Sequence, residues 1–144
     1  MTTLATIEIF FREKYSTIDL INGLLSNGWT NNIYGEIWYL PLHDGGSFSW
    51  ESMPYHKWDS VKRIIEDKII SDELVGLDLV TKNGFIGGGF LFYEKEKQVI
   101  LSADRNRKKM PGVAETDFYW YKQVLTDALG ACGYELIGIE CSDD

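Results

Sequence analysis

The run Asp104-Arg105-Asn106-Arg107-Lys108-Lys109 carries four cations, and the rings Tyr119, Trp120 and Tyr121 follow soon after. Cationic side chains beside stackable rings are the minimum of a single-stranded nucleic-acid site, which needs phosphate contacts and base platforms. Two features weigh against that chemistry. The patch is short, and the chain's net charge of −8 repels phosphates at long range. A solvated or internally paired loop is the simpler reading, with Arg105 held in a bidentate pair by Asp104, Asp117 or another carboxylate. Nucleic acid is therefore disfavoured as a partner.

His43 and His56 are the only histidines, and they show neither HxxxH nor HExxH spacing, so no metal site is expected. His43-Asp44, with Glu36 one strand earlier, has the residue types of an acid–base pair at a loop mouth. The neighbouring Ser47, Ser49 and Ser52 lack a GxSxG nucleophile elbow, so the group reads as solvated loop. Gly87-Gly88-Gly89 matches neither GxGxxG nor GKS/T; it reads as a strand approached closely by another backbone or ring, with Phe85, Phe90, Phe92 and Tyr93 covering the gap. Cys132 and Cys141 lack CxxC spacing and read as two reduced, buried thiols. No catalytic residue, cofactor or metal ligand emerges, and the expectation is a non-enzyme.

The elements that would position these groups follow from periodicity. Leu4 to Arg12 reads as a strand, and Ser16 caps a helix with Ile18, Ile21, Leu24 and Leu25 at helical spacing, ended by Asn27-Gly28. Glu36 to Leu42 is a second strand. His43 to Ser47 is a flexible loop leading through Phe48 and Trp50 to a helix over about Pro54 to Ile70, with Trp58, Val61, Ile64, Ile65 and Ile69 in one stripe. Glu73 to Thr81, Phe85 to Tyr93 and Gln98 to Ala103 are strands joined by hairpin-length turns. A helix capped by Thr116 or Asp117 runs to about Ala131, and Tyr134 to Cys141 is a last strand. The order βαβαβββαβ over residues 1–144 gives one α+β domain, a sandwich with a mixed or mainly antiparallel sheet and about three helices packed mostly on one face.

Composition fits a globular chain with 44% hydrophobic and 25% charged residues, and aromatics are raised to 14%. Some rings are therefore expected at the surface, where Trp and Tyr mark contacts. The chain start lacks the basic and apolar regions of a signal peptide and no stretch approaches a membrane span, so the cytoplasm is expected and no membrane. The charge is uneven: residues 94–110 carry +3 and residues 111–144 carry −6. That field favours a basic protein partner.

Phe118-Tyr119-Trp120-Tyr121 puts four rings on one helix, and at 100° per residue they cannot all face one core. With Tyr121, Val124, Leu125, Ala128 and Leu129 buried and Phe118 at the edge, Tyr119 and Trp120 are left outward. A homodimer contact is one use for them. The other is a partner site of Asp117, Tyr119, Trp120, Asp143 and Asp144, rings with an acidic rim.

Phe48-Ser49-Trp50, Trp58, Gly87-Gly88-Gly89-Phe90-Leu91-Phe92, Ser102 to Arg107 and Asp117 to Tyr121 give an organisation that resembles the small acidic immunity proteins of bacterial toxin–immunity systems. The resemblance implies an inhibitor that neutralises a basic toxin by occlusion, without turnover or cofactor; the basic loop departs from a uniformly acidic face. Two alternatives are a small-ligand or enzymatic domain, with a pocket beside Gly87–Gly89 walled by Trp38, Trp50 and Trp58 and addressed by His43 or His56, and a single-stranded nucleic-acid binder on Arg105 to Lys109.

Overall fold

In the computed structural model, which describes residues 4–143, β1 (Ala5–Phe11) buries every second side chain. Ala5, Ile7, Ile9 and Phe11 are enclosed, while Thr6, Glu8 and Phe10 stay half-exposed. This is the period of a strand covered on one face. The Ser16 hydroxyl accepts a hydrogen bond from the Asp19 N–H and starts α1 (Thr17–Ser26), which buries Leu20, Ile21 and Leu24. Asn27 ends it by donating from Nδ2 to the Gly23 carbonyl, and Gly28 takes the turn at φ 93°.

Three short strands follow: β2 (Trp29–Thr30), β3 (Glu36–Tyr39) and β4 (Glu51–Pro54). A single 3-10 turn, Tyr55–Lys57, leads into α2 (Trp58–Ile70). The hairpin-linked strands β5 (Val75–Thr81), β6 (Gly87–Tyr93) and β7 (Gln98–Arg105) come next, then α3 (Phe118–Ala131) and β8 (Leu136–Asp143). Every pairing is antiparallel, in the spatial order β4-β3-β5-β6-β7-β1-β8, with β2 beside β5. The helices lie at one side of this open sheet. Tyr121 and Leu125 of α3, Val61 and Ile65 of α2 and Leu20 and Leu24 of α1 close on one core with the inward residues of the sheet.

The architecture is the expected α+β arrangement with two strands more than expected, βαβββαβββαβ among the described residues in place of βαβαβββαβ. β2 is two residues long and offers no alternation to read. β4 lies on the approach to the second helix, expected from about Pro54 but starting at Trp58, and Glu-Ser-Met-Pro has no apolar period to read; among the described strands it pairs with β3. Pro54 is tolerated there because an edge strand leaves one row of donors unused. β3 stops at Tyr39, short of the expected Leu42, ahead of Pro41, which has no N–H to give. Cys132 and Cys141 are half-buried, less enclosed than expected, and both are free. The Cys132 Sγ donates to the Ala128 carbonyl and accepts from Asn27 Nδ2. No helix among the described residues is long and apolar enough to cross a membrane.

Candidate functional site

Among the described residues, no helix or strand layer covers the sheet face opposite the helices, and the residues of that face follow from register. Asp78 stands across from Gly89, Gly89 from Ser102, Ser102 from Thr6 and Thr6 from Ser142. One step along, Gly76, Leu91, Ile100, Glu8 and Glu140 form the next row. Glu8 and Glu140 are direct cross-strand neighbours. Strand alternation therefore gathers Glu8, Glu36, Asp78, Asp104 and Glu140 on this face.

The glycine triplet shapes it. A Cβ on Gly87 would strike the Leu79 carbonyl, and one on Gly88 would strike the Ser102 carbonyl and the Asp104 carboxylate. The ladder shifts register between Gly87 and Gly89 at this bulge, which re-aims the end of β7. The expected close approach in this strand is thus by backbone at Gly87 and Gly88. At Gly89 it is by a ring: a Cβ there would lie 3.0 Å from the Trp50 indole, and a Cβ on Gly76 would also lie 3.0 Å from it. Trp50 occupies the space that a side chain at 89 would fill, and it shares the space at 76 with Leu40, whose atoms would lie 2.7 Å from that Cβ.

Residues 41–50 carry that ring across the sheet, and this segment is tied at both ends. Buried Lys68 donates to the Pro41 carbonyl at 2.7 Å and reaches Glu73 at 3.5 Å. Glu73 also accepts the His43 N–H at 2.7 Å. That backbone bond and then the Lys68 charge hold the Glu73 carboxyl below its ordinary value, against partial desolvation. Farther on, the Asp44 carboxylate accepts the N–H groups of Phe48 and Ser49 at 2.8 and 2.9 Å. Phe48 is held at φ 53°, a left-handed conformation costly for a side chain with Cβ, and its ring is part-exposed.

Trp38, Phe48, Trp50, Asp78, Gly89, Leu91, Ser102, Asp104 and Arg105 line a cleft of about 380 Å³. Arg105 donates from Nε to Oδ2 of Asp78 at 2.7 Å, and its Nη2 lies in ion-pair contact with the same oxygen, also at 2.7 Å. Its guanidinium carbon lies 5.9 Å from the Trp38 ring centroid. Burial pushes the Asp78 carboxyl above its ordinary value, opposed by Arg105 and reinforced by the Asp104 charge. Asp104 opens to solvent at the mouth, yet the protein around it desolvates it enough to raise its carboxyl too, opposed by N–H donors and Arg105. Such a cleft can hold a charged group between rings and carboxylates. A second cleft of similar volume lies between the start of α1 and the α2–β5 turn. Within it Thr17 donates to Glu94, and Lys95 pairs with Asp72.

The residues singled out from sequence fall into three groups. Trp38, Trp50 and Gly89 come together as the pocket reading expected, whereas Trp58 packs on the helix side beneath Lys62, and neither histidine lines the cleft. The His43 side chain is 80% exposed against Glu73, and His56 is exposed. The basic loop folds back on the molecule: Arg105 is taken by Asp78, and Arg107 donates to Thr116 Oγ1 at 2.6 Å. The Lys108 N–H donates to Tyr121 Oη and its carbonyl accepts from Asp117. On α3, Tyr119 is 77% exposed as expected, but Trp120 is half-buried with its ring edge-on to Tyr121. Asp117 caps the helix by accepting the Trp120 N–H, and Asp143 accepts from Thr116 Oγ1. Asp144 lies outside the described residues.

Sequence reasoning expected a carboxylate on Arg105 but did not name Asp78, 27 positions earlier, as the one that holds it. It also missed the exposed Tyr34–Phe85 stack, two rings 5.7 Å apart that both sit at φ 52°. A lone Asp inside an otherwise apolar strand, Val75 to Thr81, was the available signal for the first. Comparisons with protein-family models, curated proteins and solved structures find no match for this chain.

Proposed function

We propose that this chain is a non-enzymatic protein-binding domain, an immunity-type inhibitor that neutralises a basic toxin by occlusion, and that the uncovered sheet face is its binding surface. The observation that carries this reading is the charge and ring content of that face. Among the described residues, the carboxylates of Glu8, Glu36, Asp78, Asp104 and Glu140 share it with the Arg105 guanidinium, beside the rings of Trp38, Phe48 and Trp50. An acidic surface draws in a basic partner, and partly exposed aromatics on a rigid sheet supply anchors at low entropic cost. Inhibition by occlusion needs that complementarity and no cofactor. Of the α3 set, Tyr119 is exposed but on the helix side of the sheet, and Asp117 and Asp143 already serve helix capping and the Thr116 contact. In this reading the protein acts in the bacterial cytoplasm.

The test is affinity capture from the native lysate at low and moderate salt, followed by association kinetics with what is retained. One basic protein is expected in stoichiometric amount, with association slowing steeply as salt rises and dissociation changing less. Paired Glu8→Lys and Glu140→Lys changes should slow association about tenfold or more. Association independent of ionic strength, or recovery of nucleic acid alone, would overturn the reading. A second reading, a small-ligand domain, is favoured by the cleft volume of about 380 Å³, within the range of small-molecule sites.

A further inference from the structure

We infer that the cleft between Trp38 and Trp50 is an anchor pocket for one cationic side chain, an arginine or lysine presented by the protein partner. The inference rests on the inhibitor reading for what presents the cation.

Asp78 is 7% exposed, and its carboxylate is only half used. The Arg105 hydrogen bond and ion-pair contact both fall on Oδ2, and among the described residues no donor reaches Oδ1, which stands 3.3 Å from where a Cβ on Gly89 would sit, beside the cleft. Oδ1 is not sealed from solvent, so it stays open to a second cation entering from the cleft, which can pair with it without stranding a buried charge. With Asp104 at the mouth, two carboxylates face one guanidinium and the pocket keeps a net charge of −1. The walls suit a flat cation. Trp38 already has Arg105 over its face at 5.9 Å, so the site stabilises a guanidinium. Trp50, laid across Gly76 and Gly89, and Phe48, fixed by Asp44 at φ 53°, offer further aromatic surface. An anionic occupant would meet the unpaired Oδ1 and Asp104, and an apolar one would leave Oδ1 dry.

The probe is N-acetyl-arginine methylamide, titrated against the indole N–H resonances of the intact protein, with the citrulline analogue as the uncharged isostere and acetate as the anion. The Trp38 and Trp50 signals, assigned through Trp→Phe variants, should shift saturably with a Kd of about 1–10 mM, as one side chain of an interface gives. The citrulline analogue should bind at least about tenfold more weakly. Asp78→Asn should abolish the response; because it also frees Arg105, the exposed Asp104→Asn variant, with an otherwise unchanged amide spectrum, should weaken it about threefold. Equal response to citrulline, a stronger response to acetate, silent Trp38 and Trp50 signals, or a micromolar Kd for the free compound would each overturn the anchor. Silence with a basic protein still retained refutes the anchor alone. A specific arginine response with no protein retained refutes the inhibitor.

Discussion

Beneath the helices, Tyr39, Leu77, Phe90, Leu101 and Ile7 form one row across five strands, each a cross-strand neighbour of the next and each at 2% exposure or less. The adjacent row on the opposite face runs Asp78, Gly89, Ser102, Thr6 and Ser142. The first row is fixed by burial, since every member removes apolar surface from water. The second has little apolar surface to bury, and its shape comes from absent side chains, a bulge and a segment pinned from outside the sheet. Contiguous rows of the same strands can thus hold the fold and leave a surface free for other use.

The sharpest way to break the contrast is Gly88→Ala. The added methyl meets the Ser102 carbonyl and the Asp104 carboxylate, at a glycine with φ 152°. The expected loss is on the order of 4 kcal/mol in denaturant unfolding, from strain and overpacking together, and the cleft should no longer form. Leu77→Ala in the covered row should cost about 3 kcal/mol by leaving a cavity. It should spare the indole response to the arginine probe. If Gly88→Ala unfolds at the wild-type midpoint, the bulge does not constrain the uncovered face as argued.

The covered face was legible because it is written in local periods. Ile7 and Ile9, Ile21 and Leu24, and Tyr121, Leu125 and Leu129 each declare an inward side within one element, and Ser16 and Asp117 mark helix starts by residue type alone. The uncovered face is written in pairings between distant positions. Gly89 explains itself only beside Trp50, 39 positions earlier in the chain, and Asp78 only beside Arg105. The glycine triplet was recognisable as a place of close approach; which groups approach is decided by register, which a single strand does not encode. Tyr119 was legible from helix geometry, whereas Trp120 was not, because its ring folds back edge-on to Tyr121.

Lys68 links the two faces. It sits on α2, is 1% exposed, and fixes Pro41 at the start of the segment that brings Phe48 and Trp50 to the cleft. Lys68→Ala should cost about 2–3 kcal/mol, since it removes a charged donor and leaves the Pro41 carbonyl and Glu73 without it. Unlike Leu77→Ala, it should also lose the Trp50 indole response. Retention of that response would mean that Asp44 and the Gly76–Gly89 groove position the segment unaided.

The smallest effect tests why Glu8 and Glu140 face each other across β1 and β8. Like charges directly opposed on a sheet destabilise it, so Glu140→Gln should raise the unfolding free energy by about 0.5 kcal/mol at low salt. That gain should shrink as salt screens the pair. Glu140 is exposed and makes no ion pair among the described residues, so nothing else in the fold depends on its charge. A change that stabilises the protein yet slows association with a basic partner would separate the two roles at one residue. The covered row offers no such position, because each substitution there loses buried contacts. If Glu140→Gln instead destabilises the sheet, the carboxylate has a structural role on the edge strand and the proposed binding face loses one of its five charges.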